Sequence, residues 1–191
     1  MFMQQGYAGS GLKQIAAAST APIGSLYHFF PGGKSELAAE TLTRSGQAYQ
    51  ELVGAVLDAE PDVVSGVRAC FDGAAETLRA SGYADACPIA TVALEVASSD
   101  ESLRRVTAEI FDRWLGALAA RFVAAGVAHD RAAELATVFL AALEGGFLLS
   151  RVAKDATAMN VIGHHVVELV RQALGPDDAP TILVATQPTA G

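Results

Sequence analysis

Between Ser10 and Lys34 the chain sets small and polar side chains at spacings that suit the edge of a DNA groove. Pro22, Ser25 and His28 recur every three residues and share one side of a helix, while Ile23, Leu26, Tyr27 and Phe30 repeat at i, i+3, i+4, i+7 and make an apolar one. Outward side chains of that size enter a major groove without steric conflict and offer a hydroxyl and an imidazole to base edges. Lys34 follows a Pro31-Gly32-Gly33 turn. An ammonium at the amide-rich start of a helix suits a phosphate. Upstream, Leu12, Ile15 and Ala16 mark one apolar face of a short helix that Ser10 is placed to cap, with Lys13 adding a basic side chain. Ala18-Ser19-Thr20-Ala21 interrupts that helix. Two short helices joined by such a turn are a helix-turn-helix candidate.

Elsewhere the reactive residue types are sparse. His164 and His165 invite a metal site with Glu168, four residues after His164, but adjacent side chains on a helix point about 100° apart and do not easily serve one ion. One solvated and one interfacial histidine is the expectation, and no metal or cofactor is implied. Cys70 and Cys87 lie in no Cys-x-x-Cys motif and read as buried structural thiols of a reducing compartment. No nucleophile elbow, phosphate loop or paired-carboxylate signature is present, so catalysis has no positive support.

The elements that must position the first group are helices. Hydrophobic residues make up 51% of the 191 and charged ones 18%, which excludes a disordered chain; 38 alanines against seven prolines favour helix over sheet. Lys34 to about Leu57 runs without proline. Pro61 is placed to open a helix ending near Gly82, and Pro88 another over PIATVALEVA. Ser98 and Glu101 suggest a capping box for a helix reaching Gly126, and Asp130 and Asp155 the caps of helices over 131–153 and 156–174, stopped by Gly175. No stretch sustains period-two alternation. The expected fold is all-α, with a helix-turn-helix head over 1–50, a helical body over 51–175 and an irregular tail over 176–191, where Ile182 to Ala185 could form a short strand or pack on a neighbour.

Charge follows the same division. The head carries three basic and two acidic residues and the body and tail the other ten and nineteen, so a segment near +1 precedes one near −9. The total of −8 excludes a globally basic nucleic-acid binder but not a local DNA-binding face. The longest uncharged run, Gln14 to Gly33, contains two prolines, three glycines and several polar residues and cannot cross a bilayer as a lipid-facing helix. The start lacks a basic and apolar leader, and a cytoplasmic location without a membrane partner is expected.

Two strings raise the specificity of this reading. IGSLYHFFPGGKSEL, preceded by LKQIAAAS, closely resembles the DNA-binding head of TetR-family regulators; the Pro-Gly-Gly-Lys turn and the later CPIATVALE resemble the LmrA/YxaF-like branch. The resemblance implies that Leu26 and Phe30 pack the head's small core, that Tyr27, His28 and Lys34 reach phosphates, and that Pro22, Ile23 and Ser25 face base edges with Thr20 and Ala21 in the turn. Thr20 and Ile23 stand where the family often has Gly and Lys. Phe2 to Gly6 resembles only the last turn of the family's first helix, which normally covers the other two, so Leu12, Ile15, Leu26 and Phe30 are expected to be partly bare. Either the natural chain begins upstream of Met1 or the head is weakened.

The implied function is a ligand-responsive repressor binding operator DNA as a homodimer and released by a small apolar or amphipathic effector. The alternative is a helical small-molecule-binding or dimeric scaffold whose head does not bind DNA. An all-α enzyme using His164 is a remote third. Phe71, Phe111, Trp114, Leu115, Phe122, Phe139 and Phe147 lie along the body helices; a plain core is the simple reading of each, but the resemblance implies an effector pocket among Phe71, Phe111, Trp114, Leu115, Phe139, Leu143 and Phe147. Leu135, Val138, Ala142 and Gly146 on one long helix and Ile162, Val166, Leu169, Val170 and Ala173 on the last form apolar stripes expected to meet a second copy.

Overall fold

The computed structural model describes residues 1–175; the tail expected over 176–191, including Ile182 to Ala185, lies outside the described residues. The chain runs α1 (Phe2–Gln5), α2 (Leu12–Ala18), α3 (Ile23–Phe29), α4 (Lys34–Ala59), α5 (Val63–Ala80), α6 (Pro88–Val96), α7 (Glu101–Ala124), α8 (His129–Ala153) and α9 (Thr157–Leu174), with no strand among the described residues. The all-α architecture is as expected. The boundary expected at residue 50 falls inside α4, so head and body are joined by one unbroken helix of about 39 Å at the helical rise.

Helix starts differ from expectation by one or two residues, each for a local reason. Asp62, not Pro61, ends the turn before α5, its carboxylate accepting from the Ser65 amide at 2.8 Å. Asp100 rather than Ser98 caps α7 by accepting from the Leu103 amide at 3.0 Å. Asp130 lies in the first turn of α8, after Ala128. Asp155 sits one residue before the Ala156 cap and accepts from both the amide and the hydroxyl of Thr157. Pro88 does open α6, and Gly175 ends α9 with φ of 82°.

Two buried clusters hold the body together. One gathers Phe2, Ala38, Leu42, Ile89, Val92, Leu103, Ile110 and Trp114 from α1, α4, α6 and α7. The Trp114 indole donates to the Gly46 carbonyl at 2.8 Å, fixing the crossing of α4 and α7. The other gathers Phe71, Leu78, Phe122, Leu135, Phe139, Met159, Val166 and Val170 from α5, α7, α8 and α9. Full burial of each large side chain here contributes about 1.5–3 kcal/mol.

This second cluster takes four residues out of the expected dimer stripes. Leu135, Gly146, Val166 and Val170 are buried in the subunit's own core, and Ala142, Ile162, Leu169 and Ala173 lie half-covered against it. Of the set Val138 is exposed, and the four half-covered residues keep part of their surface open. α8 is apolar on both sides, long and apolar enough to span a membrane by composition alone, so its periodicity does not say which side turns inward. The outward side carries Val138, Leu148, Leu149 and Val152, with exposures of 40%, 59%, 54% and 81%.

Candidate functional site

The turn between α2 and α3 is built by two backbone hydrogen bonds, Ala21 N–H to the Ala16 carbonyl at 3.0 Å and Thr20 N–H to the Ala17 carbonyl at 3.2 Å. This nested pair is the Schellman closure, which puts the residue at Thr20 in the left-handed region, and Thr20 has φ of 53°. A β-branched residue adopts that conformation at a cost of about 1 kcal/mol or more. Glycine would not bear it.

α3 presents Pro22, Ile23, Tyr27 and His28 to solvent, with Ser25 half-buried. Phe29, absent from the sequence-based set, is 71% exposed and meets His28 edge to face at 5.2 Å. No residue of α3 is buried, and Leu12, Ile15, Leu26 and Phe30 are all half-exposed, in line with the expectation of a partly bare head. Thr20 and Lys13 are exposed and Ala21 is half-buried. Ser10 departs from its expected role. It has no exposed surface and its hydroxyl donates to the Gly6 carbonyl, while Gly11 occupies the cap position of α2. Gly33, with φ of 72°, turns the chain into α4, and the Lys34 ammonium lies 4.3 Å above the Tyr7 ring.

α6 grips the start of the head. The Glu95 carboxylate accepts from the Tyr7 amide at 3.0 Å and the Ala8 amide at 2.7 Å. Gly6 makes that approach possible, since a Cβ there would sit 1.7 Å from the Glu95 Oε1. Gln4 also donates to Asp85 at 3.0 Å.

Behind the head, the body encloses a cavity of about 340 Å³. Of the sequence-based ligand residues, Trp114, Phe139, Leu143 and Phe147 line it. Phe71, Phe111 and Leu115 do not. Phe71 turns to α9, where Gly163 lets the backbone approach its ring, Phe111 lies edge to face on Trp114, and Leu115 is half-buried against the core. Sequence reasoning missed Met3, Tyr49, Cys87, Arg121 and Glu144, which also line the cavity. They are scattered over α1, α4, α7, α8 and the cap of α6, and no periodicity links them.

The polar groups of the cavity fall into two sets. Arg121 donates to both oxygens of Asp58 at 3.0 and 2.8 Å and holds that carboxyl below its usual range. Around Tyr49 stand Asp85, Cys87 and Glu144; burial, then these acidic neighbours, push its phenol up. Burial pushes the Glu144 carboxyl up, with the Cys87 thiol beside it acting the other way. Burial also pushes the Cys70 thiol to about 12 and Cys87 well above its ordinary range, so neither is a ready nucleophile. His164 and His165 are both exposed, their rings 5.5 Å apart; among the described residues no three ligating side chains gather for a metal.

Comparison with known proteins decides the family. Residues 1–41 match the family of bacterial regulatory proteins described as the tetR family, and residues 63–165 match the C-terminal domain of LmrA/YxaF-like transcriptional regulators. The chain belongs to the TetR family, in its LmrA/YxaF-like branch. The HTH-type regulator YxaF of Bacillus subtilis is 35% identical over 172 residues, covering 90% of each chain, and LmrA of the same organism is 31% identical over 90% of this chain and 92% of its own. A TetR regulatory protein from Rhodobacter sphaeroides shares the fold with a TM-score of 0.79 at 19% identity, over 88% of this chain and 92% of that one. As a TetR-family member the chain is a DNA-binding transcriptional regulator rather than an enzyme, and its α2 and α3 are the helix-turn-helix of that head.

Proposed function

We propose that this regulator is a cytoplasmic, ligand-responsive repressor that holds operator DNA as a homodimer and releases it when a small apolar or amphipathic effector fills the cavity. The observation that carries the reading is that the cavity wall is shared with the head. Met3 of α1 lines it, as do Ala86 and Cys87 at the start of α6, whose other end holds Tyr7 and Ala8 through Glu95. A ligand there presses on the elements that seat the head. Coupling of this kind is reciprocal, so DNA weakens the effector by the same factor as the effector weakens DNA.

In this reading Pro22, Ile23 and Ser25 of α3 face base edges, Tyr27, His28, Lys13 and Lys34 hold phosphates, and Thr20 and Ala21 shape the approach. The head over 1–50 and the body over 51–175 move as one through α4. A second copy covers the outward apolar side of α8, placing two heads on successive major grooves about 34 Å apart. DNA selected from a random pool by the purified protein supplies the operator for the test. Salt-dependent binding to it, reversed by apolar compounds that also raise the melting temperature, is the expected result. Ligand binding with no DNA selected would identify the scaffold reading instead.

A further inference from the structure

We infer that the cavity selects an amphipathic monocation, an aromatic or aliphatic body bearing one positive charge, with Glu144 as its counter-charge. This rests on the cavity being the effector site. The cavity has the volume of a drug-sized pocket and walls dominated by Val53, Leu118, Phe139, Leu140 and Phe147. Three charged side chains line it: Asp85, Arg121 and Glu144. Arg121 is committed to Asp58 through two hydrogen bonds, so its charge is already balanced. Asp85 accepts from Gln4. Glu144 has no basic group within 4.0 Å among the described residues; its neighbours are the Cys87 thiol and the Tyr49 phenol.

A carboxylate kept in an apolar cavity without a cation is held there at a cost. An incoming cation removes that cost and gains a strong interaction in low dielectric, while Tyr49 and Trp114 in the same wall offer aromatic faces to it. An anion would meet two carboxyls and a guanidinium already paired. A neutral apolar ligand would only bury Glu144 further. A neutral phenol could donate to Glu144, but it would leave the acidic balance of the cavity uncompensated.

A matched pair of flat probes separates these cases: 10-methylacridinium, permanently cationic, and acridine, its uncharged counterpart in mildly alkaline buffer. Fluorescence titration is read on the protein without DNA, because flat cations intercalate. The cation is expected to bind at least about tenfold tighter than acridine, and Glu144→Gln to remove that preference by weakening the cation. Equal affinities for the two probes, or a cation preference untouched by Glu144→Gln, overturn the charge selection but keep the cavity as a binding site. Tight binding of 2-naphthol that is lost in Glu144→Gln, without a cation preference, replaces it with recognition of a hydroxyl donor. No binding and no melting shift with any of the three overturns both this inference and the effector site. The probe pair on the unmodified protein decides the matter even where the variant folds poorly.

Discussion

Lys34 lies at the start of α4 with the Tyr7 ring 4.3 Å from its ammonium, and in the proposed reading it also holds a DNA phosphate. The aromatic contact holds the side chain at the helix start, where amides and ammonium act together. Lys34→Ala is therefore expected to weaken DNA binding evenly across sequences and to lower the salt slope by about one, whereas changes at Pro22 or Ser25 alter which operator is preferred. Anisotropy titrations at several salt concentrations check this; an unchanged affinity and slope would remove Lys34 from the interface. Glu144 is subject to a different balance. Burial favours its neutral form, so its folded pKa stands above the ordinary 4.5. Below 4.5 the carboxyl is neutral in both states and contributes no penalty. As pH rises through the folded value it must ionise while buried, against which the Cys87 thiol beside it compensates only in part, and stability is lost. Ligand-free Glu144→Gln should thus melt above the parent protein in neutral and alkaline buffer, the gap closing as pH falls below 4.5. A gap that widens in acid would show that Glu144 is a stabilising charge instead.

The helix-turn-helix was legible as an element because its apolar spacing, its interrupting turn and the glycine turn before Lys34 all lie within 25 residues of chain. Helix starts were legible only to within a residue or two. Several polar residues crowd each start, such as Ser98, Ser99 and Asp100, and the choice among them depends on backbone direction, which the pattern does not carry. The cavity wall was legible where a bulky aromatic marks it, at Trp114 and Phe139, and not where a lone Met3 or Glu144 comes from a distant element. The turn itself gives a prediction at this scale. Thr20 occupies the left-handed position of a Schellman closure, and its hydroxyl only donates to the neighbouring Ser19 carbonyl. Thr20→Gly relieves the steric cost and should stabilise the α2–α3 pair by about 1 kcal/mol. Slower amide exchange from Ser19 to Leu26 would register it. Faster exchange there would mean that the threonine side chain supports the turn more than its backbone strains it.

At the scale of the whole molecule, α8 has two apolar sides, and the proposed dimer gives the second one its task. Leu135, Phe139 and Gly146 face the subunit's core, leaving Val138, Leu148, Leu149 and Val152 as an outward stripe over four turns, with Val161 of α9 also exposed. A contiguous apolar stripe of that length is uncommon on a free surface. In the proposed dimer the same stripe of both copies meets about a twofold axis, as an isologous contact requires. The two sides respond differently to charge. Leu149→Glu or Val152→Glu should give a folded protein that sediments as a monomer and binds the operator at least about tenfold more weakly, because one head reads one half-site. Val166→Glu, on the core side, should lose several kcal/mol and fail to fold, because the charge would be buried without a partner. Sedimentation velocity and circular dichroism on the three variants separate the cases. A dimer that survives Leu149→Glu and Val152→Glu together would move the interface off α8, and a monomer for the unmodified protein at micromolar concentration would remove the dimer itself.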